Sequence, residues 1–311
     1  MRIASLISSA TEILYAMGLG DCVVAISHEC DYPAQVADKP RVTRSLIDDR
    51  VESSEIDHQV QTRIRTKQAL YEIDEQKLSQ SGPDLIVTQA QCDVCAVRYD
   101  DVMATVRRSA QLANTRVLAL NPQSLPEVLD DIADIGAAAC GAAQADMLLS
   151  QLRARIESVR QLTDPVPREH RPRVALIEWI DPLMLSGNWL PEMVQWAGGR
   201  HELTTAGRHS PYVDWENLMA YDPQVVIIMP CGFDLARTVR ESPALTARPG
   251  WSRMSAAKNK RVFAADGSAY FNRSGPRLVD SLEILAHLLH PDVVPLTPST
   301  QYLDRAWRRL E

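Results

Sequence analysis

No stretch of this 311-residue chain approaches the ~18 apolar residues that a membrane-spanning helix needs, so membrane insertion is not expected. The opening, Met-Arg-Ile-Ala-Ser-Leu-Ile-Ser-Ser-Ala, lacks the long apolar region of a secretory signal and reads as a first strand. As written, the sequence predicts a cytoplasmic protein, with a periplasmic place as the alternative if a leader was exchanged for the starting Met. Clustered positive charge is also missing. The net charge is −7, and the one basic cluster, Lys258, Lys260 and Arg261, reads as a solvated turn before a strand. A nucleic-acid surface is therefore not expected. Six cysteines are too few for a disulfide scaffold. The phosphate-binding GxGxxG and P-loop signatures, HExxH and the nucleophile elbow are all absent, which removes the common nucleotide-dependent and hydrolytic chemistries. No catalysis and no catalytic cofactor are expected. The enzyme reading that survives is a zinc hydrolase or a thiol oxidoreductase built on His28, Cys92 and Cys95.

What the chain does have is a repeated arrangement of apolar runs that end in short loops rich in binding-capable residues. Asp84 to Thr88 and Gln224 to Met229 each follow an Asp/Pro turn and exit into QAQCDVC and PCGF. In open α/β sheets, ligands sit beyond the carboxyl ends of the strands. With 45% apolar residues, a chain of this length can fill two cores. The first half alternates strands at 2–7, 22–27, 84–88 and 116–120 with helices at 11–17, 74–81 and 98–112, and a polar stretch at 41–68 is expected to hold a helix near 54–67. This alternation predicts a parallel sheet covered on both faces. An Ala-rich helical stretch follows from 125, and a second helix at 142–162 would span about 30 Å, ending at Thr163-Asp164-Pro165. The second half repeats the plan, with strands at 173–178, 183–186, 224–229 and 261–265 and helices at 190–197 and 276–289. The expected organisation is an α/β lobe over 1–141, a connecting helix over 142–163 and a second α/β lobe over 164–311.

Cys30, Cys92, Cys95 and Cys231 fall in predicted strand-exit loops, whereas Cys22 and Cys140 lie in apolar surroundings and read as packing residues. His28 with Cys30 and Cys92 with Cys95 could form a tetrahedral zinc site, offer a soft ligand to a metal chelate, act as a redox dithiol, or line a pocket without bonding metal. His28 reads equally as a hydrogen-bonded structural residue.

Five segments carry a resemblance that covers nearly the whole chain: RIASLISSATEILYAMGLGDCVVAISHECDYP, PDLIVTQAQCDVCAV, LNPQSLPEVLDDIADIG, EWIDPLMLSGNWLPEMVQWAGG and DGSAYFNRSGPRLVDSLEILA. In this order they resemble the cobalamin-binding members of the helical-backbone (class III) substrate-binding proteins, a group that also binds siderophores, haem and metals. The resemblance implies two Rossmann-like lobes with parallel sheets, joined by one long backbone helix, with a corrinoid in a cleft between the lobes. It assigns to the ligand Ser8, Ser9, Thr11, His28, Glu29, Cys30, Asp31, Gln89, Gln91, Cys92 and Cys95 from the first lobe. From the second it assigns Trp179, Asp181, Asn188, Trp189, Cys231, Phe233, Tyr270, Phe271 and Asn272. A corrin is a broad apolar ring fringed with amides, so aromatic faces and a few polar groups suit it. Any one of these aromatics could instead cap the core beneath its loop. Importers of the family dock on an ABC permease through an acidic residue on each lobe. Glu216 matches one position, and the other falls at Gln76 with Glu75 beside it, which leaves room for a carrier without a permease. A ferric siderophore or haem is the other ligand reading. Siderophore anions ask for arginines, of which Arg273 and Arg277 stand out, although both could serve Asp266 instead.

Overall fold

The computed structural model describes residues 1–91, 94, 96–296 and 300–310. It divides into two compact α/β units, one comprising Met1–Val51, Glu55–Pro122 and Pro126–Gln151, the other Glu52–Ser54, Gln123–Leu125 and Leu152–Glu311.

Eleven strands are present among the described residues. In chain order they are β1 (Ile3–Ser5), β2 (Val23–Ile26), β3 (Thr43–Ser45), β4 (Tyr71–Ile73), β5 (Leu85–Gln89), β6 (Arg116–Leu120), β7 (Val174–Trp179), β8 (Met184–Leu185), β9 (Val225–Ile228), β10 (Val262–Ala265) and β11 (Trp307–Arg309). The first unit is built on a parallel sheet of order β2-β1-β5-β6. All five residues of β5 are buried, as expected of a central strand covered on both faces. Its entry is set by the Asp84 turn. The Asp84 carboxylate accepts from the Arg2 backbone N–H at 2.7 Å, and the Asp84 N–H donates to the Arg2 carbonyl at 2.8 Å. This fixes the register in which Ile3 lies beside Leu85. One face packs Ala4, Leu6, Ala25 and Ile86 against Leu78, Val102 and Leu112.

The polar stretch at 41–68 holds the expected helix, Ser53–Arg65. It also contributes β3, which pairs antiparallel with β4, a small sheet that the sequence reading did not foresee. The three-residue strands carry too few apolar positions to show a period.

The second unit's sheet has the order β11-β10-β9-β7-β8. Its centre is parallel, as expected of the lobe, and its two edge strands pair antiparallel. The physical reason for β8 is the short link from β7, since a tight turn can only return a strand antiparallel. Strand β11 comes from the chain's last residues and was not foreseen. Ala175, Ile177, Leu185, Val226 and Ile228 form one face of this core with Leu218, Leu245 and Met254.

The helix Ala142–Thr163 matches the expected span closely. Its buried residues Ala145, Leu149, Leu152, Ile156, Val159 and Thr163 recur every three or four positions, the stripe an amphipathic helix presents. The division between the two units falls within it, after Gln151. In the second unit Arg155 clamps this helix to the helix Leu278–Leu289, donating to Asp280 at 2.5 Å and to Glu283 at 2.7 and 2.9 Å. In the first unit the preceding helix, Leu125–Ala138, passes so close that a Cβ on Gly136 would lie 2.4 Å from that of Ala145.

Candidate functional site

In the first unit the loops beyond β1, β2 and β5 hold the candidate residues. Strand β1 runs almost directly into the helix Ser8–Ala16, whose N-cap, Ile7, provides no side-chain cap. The first N–H groups of such a helix have no partner within it and, together with the helix dipole, favour an acceptor. Ser9 adds a buried hydroxyl here that has no hydrogen-bond partner among the described residues. Thr11 lies deeper. Its hydroxyl donates to Ser5 Oγ at 2.8 Å and meets Cys30 Sγ at 3.0 Å, both in the interior. Thr11 and Cys30 are thus fully buried, while Ser8 is nearly so.

His28, just beyond β2, is held by a small hydroxyl relay. Thr43 donates its single hydroxyl hydrogen to Ser27 Oγ at 3.1 Å. The two contacts Thr43 makes with His28, to the backbone N at 2.9 Å and to Nδ1 at 2.7 Å, are therefore ones in which Thr43 accepts. This assigns the ring proton to Nδ1 and leaves a lone pair on Nε2. Among the described residues Nε2 makes no hydrogen bond, and Glu29 Oε1 stands 3.8 Å away. Burial, and after it the nearby Arg41 guanidinium, lower the His28 pKa and favour the neutral ring at neutral pH. Arg41 itself is anchored by the carbonyls of His28 and Cys30 at 2.9 and 3.0 Å. The imidazole lies 5.4 Å from the Tyr71 ring, and the Tyr71 hydroxyl donates to the Val94 carbonyl at 2.6 Å, tying the loop after β5 to the same place. A histidine with one nitrogen anchored and the other carrying an unused lone pair has the form of a metal ligand or a hydrogen-bond acceptor.

Gln89 ends β5 in the interior and Gln91 is half-buried, whereas Glu29 and Asp31 are exposed. Cys92 and Cys95 lie outside the described residues, so the expected four-ligand metal site falls partly there. Among the described residues, no group of three or more His, Cys, Asp and Glu side chains is placed to hold a metal ion.

In the second unit the structure sorts the candidate aromatics into two kinds. Phe271, Phe233 and Trp189 are buried and serve the core beneath the loops. The Trp189 indole donates to the Phe271 carbonyl at 3.0 Å, which joins the loop after β8 to that after β10. Trp179 and Tyr270 are half-buried. Trp179 leans on Phe233 at 5.2 Å and donates to the Ser53 carbonyl at 3.1 Å, and the Arg277 guanidinium stands 5.4 Å from the Tyr270 ring centre. Arg237, which the sequence reading missed, lies 3.7 Å over the other partner, Phe233, and pairs with Glu241 at 2.7 Å. Both neighbours lie four residues away along the chain, but an Arg at helical spacing from a Phe and a Glu is too common a pattern to mark a site.

Asn188 adopts a left-handed backbone, φ 50°, rare for a residue with a side chain, and its buried Oδ1 has no partner among the described residues. The segment 207–210 folds over it: Asn188 N–H donates to the Arg208 carbonyl at 2.6 Å, and Gly187 N–H donates to Ser210 Oγ, which in turn donates to Glu178. Cys231, half-buried, donates its N–H to the Glu178 carbonyl at 3.1 Å, so β7 and β9 present their exit loops side by side. Asn272 donates to the Met229 carbonyl at 2.8 Å, and Asp181 pairs with Arg248 at 3.2 Å. Asp266 is pushed above its ordinary value by burial, with Arg277 and Arg273 opposing that rise. Both arginines thus lie close enough to Asp266 for their charge to act on it.

Residues 3–269 match the family model described as periplasmic binding protein. The chain belongs to this family. It is a substrate-binding protein of two α/β lobes, and the family is one of binding proteins rather than enzymes. Its relatives include the uncharacterized ABC transporter substrate-binding lipoprotein YvrC of Bacillus subtilis, 26% identical over 94% of this chain and 80% of that protein. The vitamin B12-binding protein of Vibrio cholerae is 25% identical over 91% of this chain and 86% of its own length. Among solved structures, the periplasmic vitamin B12 binding protein BtuF of Vibrio cholerae has a TM-score of 0.67 at 22% identity, covering 93% of this chain and 96% of that one. A periplasmic haem-binding protein from Pseudomonas aeruginosa has a TM-score of 0.70 at 18% identity, covering 96% of each chain, a likeness of fold. These relatives are periplasmic or lipoproteins by name, and they give no support to the expectation of a cytoplasmic place. Among the described residues, no helix is long and apolar enough to cross a membrane.

Proposed function

We propose that this chain binds cobalamin or a related corrinoid as the substrate-binding component of an ABC importer, in the periplasm or its equivalent. The observation that carries this reading is the 25% identity, along 91% of the chain, to a vitamin B12-binding protein. The loop chemistry agrees with it. In the second unit the half-buried Trp179 and Tyr270 offer apolar faces and Asn188 a polar group, and in the first unit the helix start at Ser8–Ser9 and His28 offer polar groups. A flattened ring fringed with amides needs both kinds of contact.

A permease would meet Glu216, exposed in the first turn of the helix Trp215–Tyr221. On the first unit Glu75 is already paired with Arg108, so a docking partner there must take up the pair as a whole or contact Gln76 beside it.

The test is the visible spectrum of the purified protein after mixing with cyanocobalamin or hydroxocobalamin and desalting. Colour retained at near one-to-one stoichiometry supports the reading. Failure to retain either at micromolar concentration, with haem retained in a parallel trial, overturns it in favour of the haem reading that the neighbouring folds suggest.

A further inference from the structure

The opposite pole of the second unit's sheet carries a cavity that no part of the corrinoid reading uses. It has a volume of about 400 Å³ and is lined by Val166, Arg168, Arg171, Gln195, Gly199, Arg200, His201 and Glu202. Arg200 and Arg171 flank the amino-terminal end of β7, while Trp179 ends the strand at its other pole. At about 3.3 Å per residue, the two ends of β7 stand roughly 17 Å apart.

Three guanidinium groups in one cavity stand out in a chain of net charge −7. Their duties differ. Arg171 is spent on the protein: Nε donates to the Val166 carbonyl at 2.9 Å, and Nη2 donates to the carbonyls of Thr163 and Asp164, where the long helix ends. Arg200 is held at both backbone and side chain without being used up. Its N–H donates to Pro172, its carbonyl accepts from Val174, and Nε donates to the Arg171 carbonyl at 3.0 Å. Among the described residues, neither terminal nitrogen of Arg200 makes a hydrogen bond, so the planar end of an anchored guanidinium is left to face the cavity. Arg168 is mostly exposed and, among the described residues, its side chain pairs with Glu202 at 3.8 Å. His201 behind them is buried, with Val174 and Ser186 carbonyls at its two nitrogens, and burial lowers its pKa. The lining side chains thus carry three positive charges against the single negative charge of Glu202.

We propose that this cavity is a second binding site, specific for a small phosphate-like oxyanion, in which Arg200 is the fixed bidentate donor and Arg168 the mobile one. A guanidinium fork matches two oxygens of a phosphate or carboxylate, and an anchored fork loses little freedom on binding. A volume of this size admits a small ligand and not a corrin.

The probe is inorganic phosphate, followed by ³¹P line broadening on titration into the intact protein at low ionic strength. Saturable broadening with a millimolar midpoint is expected. Arg200→Gln should raise that midpoint about tenfold, in keeping with loss of a bidentate pair. Arg168→Gln should raise it about threefold, and Glu202→Gln should lower it by a similar factor, because each changes one partly screened charge. Lys258→Gln with Lys260→Gln, in the basic cluster at a different place, should leave it unchanged. Broadening that never saturates, or that is the same in Arg168→Gln, Glu202→Gln and the parent, overturns the proposal. If Arg200→Gln loses its fold because Nε no longer holds the Arg171 carbonyl, the opposite shifts of the two exposed variants still decide.

Discussion

Asp131 shows what burial does to a single carboxyl. It lies on the helix Leu125–Ala138 with Oδ2 buried and without a partner among the described residues. Burial first, and then Asp134, Glu127 and Asp130, push its pKa up to about 7. Because the folded value lies above the ordinary 3.8, the folded state holds a proton that the unfolded chain releases. The stability tied to that proton is complete only below the ordinary 3.8 and is lost progressively as the pH rises from there to about 7. Asp131→Asn should therefore be more stable than the parent at pH 8 by about 2 kcal/mol, with the gain shrinking towards pH 5. Chemical denaturation at the two pH values measures this, and a gain that is equal at both would refute it.

His28 makes a second prediction at this scale. If its Nε2 lone pair takes the axial position of the ligand's cobalt, the band of bound hydroxocobalamin should shift. The shift should vanish in His28→Ala while the colour is retained. Loss of colour and shift together would make His28 a packing residue of the site instead. Burial at this scale could not be read from the chain. Thr11 and Cys30 stand in exit loops by sequence, yet their side chains meet 3.0 Å apart in the interior. Trp189, Phe233 and Phe271 look no different in sequence from Trp179 and Tyr270, but the first three serve the core. An aromatic after a strand is favourable in either role, and the neighbours that decide come from other loops.

At the scale of elements, two close approaches hold the second unit's loops together. Gly267 passes so near β9's exit that a Cβ would lie 2.3 Å from the Pro230 carbonyl oxygen and 2.4 Å from that of Met229. Both obstacles are backbone, so Gly267→Ala should cost about 1–3 kcal/mol, read as a lower urea midpoint, and should weaken ligand retention through the displaced Tyr270. The Arg155 clamp is the other case. Asp280 and Glu283 have side-chain exposures of 10% and 15%, so removal of the arginine takes the neutralising charge away from two largely desolvated carboxylates. Arg155→Met should destabilise by about 3 kcal/mol, and adding Asp280→Asn with Glu283→Gln should restore most of it. A triple variant no better than the single would refute this account. The helices and central strands were readable because each satisfies its own hydrogen bonds or pattern locally. The pair β3–β4 and the edge strand β11 were not, because each exists only through a partner distant in sequence.

For the whole molecule, ligand binding and folding are one equilibrium. Cyanocobalamin at about one hundred times its Kd should add about 2.7 kcal/mol to the stability of whatever unit holds it. That corresponds to a rise of roughly 5–10 °C in the midpoint of thermal unfolding for a domain of this size. A scan with and without the ligand measures it, and an unchanged midpoint at that saturation would contradict binding to the folded state. The sequence by itself determined the two α/β halves, the helix Ala142–Thr163 between their strand sets and the loops that carry polar and aromatic groups. Those features follow from local periodicity, Asp/Pro turns and proline stops. Only the tertiary structure decided which loop residues are spent on the core, which tautomer His28 carries and where three arginines share one cavity. Each of these depends on contacts between segments tens to hundreds of residues apart, and no local pattern encodes the identity of such a neighbour.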